Sequence, residues 1–359
     1  MTLPPSPSQP VGKIVSLQWL RFVAASMVVL YHAAVYLTMM KKGAHVGFVP
    51  MWFGGVGVTL FFALSGNLMA MLMMRSDAPT FLMHRVVRIY PIYYIVVALV
   101  FLASLASPIK PPFDWRALSL FPYGGTTYPL GVEWTLVFEI AFYVFVALLI
   151  WFRKTGSAVS FLVGWLALIL LNNILRPDNP QVNVYHPFLL PFVTVNVGFA
   201  MGMLIPLVWR DRSVHPVLAA VLAVTLFYVG SSLGVMQVRW CMGVGAALLV
   251  HSLTHHVPTW THPVVDAVGD RLGGYSYAIY LCHVPVVRTL YAVWTDAAPM
   301  TLFWSAVGLT FLVSVLVGEV DIRLYRLLKN RVDRWSGGIR RAFAMLFLLA
   351  FAGATWLSI

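Results

Sequence analysis

The sequence predicts an all-α polytopic membrane protein, a bundle of about ten or eleven transmembrane helices. Of its 359 residues, 60% are hydrophobic and only 10% are charged, and the mean hydropathy is +0.84. A water-soluble domain of this length carries far more charge. The net charge of +12 comes from basic residues that fall between apolar runs, not from a basic patch with interleaved aromatics. We therefore expect the lipid bilayer, and not nucleic acid, to be the main partner.

Apolar runs long enough to cross a hydrocarbon core of about 30 Å give the predicted spans in chain order. They are 14–38, 54–74, 86–107, 133–152, 157–174, 188–209, 214–231, 237–255, 274–295, 300–328 and 341–357. The short connections at 209–214 and 231–237 leave a re-entrant pair open as an alternative to two spans. For this reason both ten and eleven spans are consistent with the sequence.

Four regions follow from this reading. Residues 1–13 hold four prolines, which lack a backbone N–H, so we expect a disordered cytoplasmic tail. Residues 14–328 form the main transmembrane domain, 329–340 a basic cytoplasmic loop, and 341–359 an additional C-terminal transmembrane helix. The Pro-, Gly- and aromatic-rich stretch from Ser107 to Gly131 is too broken to span, and is predicted to be an external loop over the bundle mouth.

The basic residues also predict the orientation. With the N-terminus in the cytoplasm, sixteen of the 24 Lys and Arg residues fall in inner segments and six in outer segments. An excess of positive charge on the cytoplasmic side is the usual arrangement of membrane proteins. The sequence therefore predicts a cytoplasmic N-terminus.

The first span contains two ionisable residues, Arg21 and His32, and such residues inside a membrane usually have a function. Their spacing of eleven residues corresponds to about 1100° of helical rotation, close to three full turns, so both project from one helix face. The same spacing rises by about 16 Å, which is too far for a direct contact. We expect the two residues to occupy different levels of one path through the bundle.

Glu139 is predicted to lie at the same depth as His32, about 9 Å below the outer surface, because each lies about six residues from the outer end of its span. A carboxylate beside an imidazole fixes the tautomer of the ring and raises its basicity, which suits a general base. His32 and Glu139 are therefore the predicted catalytic residues. The alternative is that each belongs to a structural polar network.

Arg85 and Arg88 share a helix face where the third span leaves the cytoplasm. Two guanidinium groups on one face match a phosphate or pyrophosphate, and Arg21, submerged in the first span, is a further candidate for binding an anion. The alternative is topological, because helix ends on the cytoplasmic side collect arginines.

Three further residues are candidates for functional contacts or for structural roles, namely Trp134, His283 and Glu319. His283 precedes Pro285, which frees a backbone carbonyl, so a core histidine bonded to that carbonyl is an equal alternative. Glu319 can pair with Arg323 one turn further along the helix. The histidines between 251 and 262 lack carboxylate or thiolate partners at ligand spacing, so no metal site is predicted and a solvated loop is favoured.

With these residues in place, the chain resembles the bacterial membrane-bound acyltransferases of the acyltransferase-3 family, most of all the branch that acetylates exopolysaccharides. The resemblance covers roughly residues 14 to 328. It rests on the segments Leu17–Arg21 with Tyr31–His32, Gly57–Gly66, Arg85–Pro91, Glu133–Glu139 with Phe142–Tyr143, and Ser276–Pro285, and on Glu319 in the last core helix. The sequence departs from the family pattern at Thr59, Asn67 and Ala278, which bears on the identity of the acceptor or acyl group before it bears on the reaction.

The resemblance implies that residues 14–328 are a transmembrane acyltransferase domain, which makes the protein an O-acyltransferase of the bacterial inner membrane. It implies acetyl-CoA or another acyl-CoA as co-substrate, with Arg21, Arg85 and Arg88 as donor-binding residues, and no bound cofactor. It also implies a carbohydrate acceptor, either an exopolysaccharide or its lipid-linked precursor, with Trp134, His283 and Glu319 as candidates for acceptor contact, and it makes polysaccharide assembly machinery a candidate partner. Two other functions stay open at this point. One is a proton-coupled transporter or flippase of a lipid-linked saccharide, although no internal repeat supports it. The other is a non-catalytic membrane subunit of a polysaccharide assembly complex.

Overall fold

The fold is known from a computed structural model, which describes residues 14–41, 44–175, 188–233, 235–256 and 262–357. Over these ranges the chain forms eleven α-helices and no strand. The helices are α1 Val15–Met40, α2 Phe53–Leu72, α3 Ala78–Ser104, α4 Glu133–Trp151, α5 Ala158–Leu175, α6 Val197–Val208, α7 Pro216–Ser231, α8 Val235–His255, α9 Pro263–Val293, α10 Pro299–Asp333 and α11 Gly337–Trp356. The predicted tail at residues 1–13 lies outside the described residues.

Each predicted span corresponds to one helix, and the all-α polytopic architecture is confirmed. Seven helices among the described residues are long and apolar enough to cross a membrane, namely α1 to α5, α10 and α11. α6 and α7 are shorter apolar helices, with 12 and 16 residues. α8 and α9 are long but more polar. Length and composition thus support seven crossings directly, and the predicted count of ten or eleven stays a prediction.

The chain between the last two helices is more helical than a loop. α10 continues to Asp333 and α11 begins at Gly337, so α10 and α11 include most of the residues from 329 to 340. Ser336 caps α11, because its side chain accepts a hydrogen bond from the backbone N–H of Ile339. The division of the chain at these positions stays a prediction.

The first helix packs most closely against α9, and two glycines of α9 make this possible. A Cβ atom at Gly269 would lie 2.3 Å from the indole Nε1 of Trp19, and one at Gly273 would lie 2.5 Å from Cβ of Gln18. Small residues at such positions let two helix backbones approach each other. The consequence is that Arg21, two residues after Trp19, is held against the middle of α9.

The segment between α3 and α4 folds into the bundle. It contains a short 3₁₀ helix, Trp115–Ser119, whose carbonyl groups accept hydrogen bonds from α3. The hydroxyl of Tyr90 donates to the carbonyl of Ser119 at 2.5 Å, and that of Tyr93 donates to the carbonyl of Ala117 at 3.0 Å. Leu130, near the end of the segment, is fully buried. Part of the segment therefore forms a wall of the bundle interior, whereas the sequence predicts an external loop over the bundle mouth.

The histidines near the end of α8 have structural partners. His251 is buried, and its ring Nε2 lies 2.8 Å from the carbonyl of Arg212, while the Nε2 of His255 lies 2.9 Å from the carbonyl of Arg210. These contacts tie the connection between α6 and α7 to the end of α8, where we expected a solvated loop. Within the described part of the chain, no group of three or more His, Cys, Asp and Glu side chains is arranged to hold a metal ion.

Candidate active site

Two polar clusters lie along α9. The side of the bundle at which α1 begins is here called the N-side, and the side at which α1 ends is called the far side. The arginine cluster, on the N-side, is formed by Arg21, Arg85, Arg88, Glu139, Tyr143, Ser276, Tyr277, Asp321 and Tyr325. The histidine pair, nearer the far side, is formed by His32 and His283.

Arg88 is the most firmly held member of the arginine cluster. Its Nη1 donates to both carboxylate oxygens of Asp321, at 3.0 and 2.8 Å, and the Asp321 side chain is almost completely buried. The guanidinium group also lies 5.3 Å from the ring centre of Tyr277 and 5.4 Å from that of Tyr325. Because its charge is already paired, Arg88 is better placed to shape the cluster than to bind an anion by itself.

Arg85 and Arg21 are less completely paired. The Nε of Arg85 is buried and has no hydrogen-bond partner among the described residues, and its guanidinium lies 5.8 Å from the ring centre of Tyr143. The Nε of Arg21 donates to the hydroxyl of Ser276 at 3.2 Å. A buried donor without a partner costs free energy, which a bound acceptor group would recover. These two arginines therefore provide the open donors of the cluster.

Glu139 belongs to the arginine cluster. Its carboxylate accepts a hydrogen bond from the hydroxyl of Tyr143, and it interacts electrostatically with Arg85, Arg21 and Arg88. With Asp321, the cluster holds two carboxylates against three guanidinium groups. The excess of one positive charge makes it a suitable site for a polyanionic ligand.

The prediction that Glu139 lies beside His32 is not met, and the reason is where α4 begins. The first residue of α4, Glu133, is fully buried, and Thr135 is 2.7 Å from the hydroxyl of Tyr280, deep in the bundle. Since α4 starts inside the protein and runs toward the N-side, Glu139 lies about 9 Å further in that direction. The depth estimate had placed the start of α4 at the membrane surface.

His32 instead lies beside His283. The Nδ1 of His32 is 3.2 Å from the Nε2 of His283 and 3.0 Å from the carbonyl oxygen of Val28. The Nδ1 of His283 is 2.7 Å from the carbonyl oxygen of Tyr280. His283 is fully buried. Its backbone partner is the carbonyl of Tyr280 on the preceding turn, and not the carbonyl of Leu281 that Pro285 leaves without an N–H donor.

These contacts fix one consistent set of tautomers. A carbonyl oxygen only accepts, so neutral His283 carries its proton on Nδ1 and presents the lone pair of Nε2 to His32. His32 then carries its proton on Nδ1, shared between Val28 and His283. Its Nε2 is left unprotonated, and this atom makes no hydrogen bond to any residue that the structure describes. The pair thus leaves His32 with a free basic nitrogen.

Aromatic rings confine the imidazole of His32. The ring of Tyr36 stacks on it with centres 6.1 Å apart, and the ring of Tyr31 meets it edge-on at 5.0 Å. His32 itself is only partly buried. The ring is therefore held in one orientation while one part of it stays accessible.

Both Arg21 and His32 contact α9, as their shared helix face predicted. Their partners on α9, Ser276 and His283, are seven residues apart, a rise of about 10 Å. Between them on α9 lie Tyr277 in the arginine cluster and Tyr280 beside α4. The two clusters are consecutive levels of one polar path through the bundle.

Trp134 and Glu319 lie apart from both clusters. Trp134 is partly buried and packs edge-on against Phe138, with ring centres 6.1 Å apart. Glu319 accepts a hydrogen bond from the hydroxyl of Tyr275 and lies 3.7 Å from Arg323, whose side chain is 79% exposed. The contact with Arg323 is the structural pairing that the spacing of these two residues suggested.

Sequence reasoning missed Asp321 and the role of Glu133. Asp321 follows Glu319 by two residues, and its signal was the presence of a third acidic or basic side chain in an apolar helix. Glu133 accepts hydrogen bonds from the backbone N–H groups of Leu130 and Val132, at 2.8 and 3.0 Å. An acidic residue in the first turn of a helix is the sequence signal for such a cap.

The fold and the site define a multi-pass membrane protein with a buried arginine cluster and a histidine pair at successive levels of α9. The chain belongs to the acyltransferase-3 family, because the profile of this family, described as an acyltransferase domain, matches residues 14–319. It is 27% identical over 323 residues to Nodulation protein 10 of Rhizobium leguminosarum bv. viciae, covering 76% of this chain and 83% of that protein. It is also 27% identical over 317 residues to Acyltransferase MdmB of Streptomyces mycarofaciens, covering 77% of this chain and 80% of that protein. No solved structure matches the chain significantly. The protein is thus an acyltransferase of the non-aminoacyl type.

Proposed function

We propose that this acyltransferase moves an acetyl group from cytoplasmic acetyl-CoA to a sugar hydroxyl of an exopolysaccharide or of its lipid-linked precursor, at the bacterial inner membrane. The family membership and the relative named Acyltransferase MdmB support acyl transfer. The observation that carries the chemistry is the histidine pair, which leaves His32 with an unprotonated Nε2.

The arginine cluster is the proposed donor site. The nucleotide part of coenzyme A is polyanionic, and its phosphates match the open donors of Arg85 and Arg21. Arg88, fixed by its ion pair with Asp321, contributes positive electrostatic potential to the site and keeps the side chains of the cluster in place. With the N-terminus in the cytoplasm, as the basic residues predict, this cluster faces the compartment that supplies the donor. The pantetheine arm then extends along α9 toward His32.

At the histidine pair the hydroxyl of the sugar donates its proton to Nε2 of His32, and its oxygen attacks the thioester carbonyl carbon. The resulting tetrahedral intermediate expels the CoA thiolate as the C–S bond breaks. The thiolate takes the proton from His32, so the products are the O-acetyl ester and CoA. While His32 is protonated, its Nδ1–H bond to the lone pair of His283 stabilises the positive charge. His283 is in this proposal a positioning residue that acts through His32.

Mass spectrometry of the surface polysaccharide tests this function. Cells lacking the protein are compared with the same cells carrying the wild-type chain or His32→Ala, at equal membrane levels of protein. We expect the wild type to add 42 mass units per acetyl group, as acetylation chemistry requires, and His32→Ala to add none. Identical polysaccharides from all three strains would contradict the proposed acceptor. Acetylation by His32→Ala at the wild-type level would contradict the role of His32.

A further inference from the structure

A small, partly open cavity lies near the far side of the bundle. Its lining includes Val100 and Ser104 of α3, Pro129 and Leu130 of the segment before α4, and Arg288 and Thr289 of α9. Its enclosed space admits little more than a small charged group such as a carboxylate, so a saccharide bound here would lie mostly at the open mouth of the cavity.

Arg288 is the charged residue of this lining, and among the described residues it has no counter-ion. Its side chain is partly buried, and it makes no hydrogen bond or ion pair with any residue in the described ranges. Its guanidinium lies 5.9 Å from the ring centre of Tyr36. None of its side-chain nitrogens is both buried and unpartnered, so the guanidinium is reachable from the open side of the cavity, where an anion can bind it.

The cavity adjoins the histidine pair. Tyr36, below the guanidinium of Arg288, is the same ring that stacks on His32. On α9, Arg288 follows His283 by five residues, a rise of about 7.5 Å. A group bound at Arg288 therefore lies within about the length of one or two sugar residues from the imidazole of His32.

The wall of the cavity is fixed by Glu133. Its two carboxylate oxygens accept hydrogen bonds from the backbone N–H groups of Leu130 and Val132, at 2.8 and 3.0 Å. Gly131 between them has a φ of 81°, a conformation that favours glycine. The Glu133 carboxylate thus accepts hydrogen bonds from the backbone and does not pair with Arg288, whose guanidinium stays available to a ligand.

We propose that this cavity binds an anionic group carried by the acceptor, with Arg288 as its partner, and so presents a neighbouring hydroxyl to His32. The inference rests on the proposed function and narrows the acceptor to acidic saccharides. The planar guanidinium suits bidentate binding of either a carboxylate or a phosphate. The carboxylate of a uronic acid and the phosphate of a glycosyl phosphate are the two sources of such a group.

Equilibrium binding in the absence of any acyl-CoA tests the proposal. The protein in nanodiscs is titrated calorimetrically with methyl β-glucuronide, with glucose 1-phosphate and with the neutral methyl β-glucoside. We expect at least one anionic sugar to bind about tenfold more tightly than the glucoside, a difference of about 1.4 kcal/mol. Preference for the glucuronide assigns a uronic acid, and preference for glucose 1-phosphate assigns a glycosyl phosphate.

Variants then assign the preference to Arg288. Arg288→Gln should reduce it to less than about twofold, and Arg288→Lys should retain part of it. Lys41→Gln is the matched control, because Lys41, at the end of α1, is like Arg288 a cation near the far side of the bundle. Its side chain instead donates hydrogen bonds to the carbonyls of Trp294 and Thr295, outside the cavity. This control should keep the full preference.

Two outcomes overturn the proposal, namely no preference for either anionic sugar in the wild type, and a preference that Arg288→Gln leaves unchanged. The result is separable from the proposed function, because His32→Ala should keep the preference. If acetyl transfer is absent but the charge preference is present, the function fails and the anion site stands.

Discussion

Replacement of His283 by Ala tests the histidine pair most sharply. The substitution removes the lone pair at Nε2 that lies 3.2 Å from Nδ1 of His32, while the hydrogen bond of His32 to the carbonyl of Val28 remains. A hydrogen bond to a charged group contributes about 1.5–3 kcal/mol. If this bond stabilises His32 only after it has taken a proton, its loss raises the activation barrier by that amount. At 1.36 kcal/mol per factor of ten, kcat falls by about 10- to 150-fold.

The assay is steady-state transfer of labelled acetyl from acetyl-CoA to the extracted polysaccharide, with the protein in nanodiscs. The loss should appear in kcat, and KM for acetyl-CoA should change by less than about threefold. His283→Gln should recover part of the rate, because its amide oxygen also accepts a hydrogen bond. His251→Ala is the control, since His251 is also buried and bonded to a carbonyl, that of Arg212, but lies outside both clusters.

The control should lower the unfolding temperature and leave kcat at the wild-type level. If His283→Ala keeps the wild-type kcat, or if its defect lies entirely in KM for acetyl-CoA, the positioning role of His283 is refuted. An equal loss of kcat in His251→Ala would show that the assay reports stability instead.

Three further predictions concern charge. Arg85→Gln should raise KM for acetyl-CoA about tenfold or more with little change in kcat, because it removes an open donor of the arginine cluster. Steady-state kinetics measures this, with Arg153→Gln, an exposed arginine just after α4, as the control. Asp321→Asn should lower the free energy of unfolding by about 3 kcal/mol, since it leaves Arg88 buried without its counter-ion. In a double-mutant cycle, replacing both partners, Arg88→Met with Asp321→Leu, should restore most of the lost free energy of unfolding. The Arg116 side chain, hydrogen-bonded to Asp114 outside the spans, lowers the pKa of Asp114. The pair therefore stabilises the fold at neutral pH, and this contribution is lost only as the pH falls below about 4. Asp114→Asn should abolish this pH-dependent stabilisation, which is at most about 1 kcal/mol because Arg116 is 37% exposed; thermal unfolding of both proteins at pH 7 and pH 3 measures it.

The helices were predictable because their signal is local. Each run of apolar residues gave one helix, and errors were limited to the ends, as at α9, which begins at Pro263 and not near 274. The extra turns of α9 contain Asp266, Asp270 and Arg271, which lowered its hydropathy below that of a span. Helix continuation depends on backbone hydrogen bonds and not on apolarity, so composition alone placed the boundary too late.

The candidate site was predictable only in part. One-helix geometry placed Arg21 and His32 correctly on the face toward α9. The partners were not predictable, because Arg88 and Asp321 are 233 residues apart in the chain, and His32 and His283 are 251 apart. Spacing within one segment carries no information about which face of another helix lies opposite. Glu139 was misplaced for the related reason that its depth depended on where α4 begins.

In the proposed function, donor binding and acyl transfer occupy different levels along α9, and the same two quantities measured for Arg21→Gln and His32→Ala separate these roles. The quantities are the Kd of acetyl-CoA and the rate of acetyl transfer, each for the protein in nanodiscs. We expect Arg21→Gln to raise the Kd about tenfold or more and to keep kcat at saturating donor, whereas His32→Ala should keep the Kd and lose turnover. Unchanged donor affinity in both variants, or full turnover in His32→Ala, would contradict this assignment of roles.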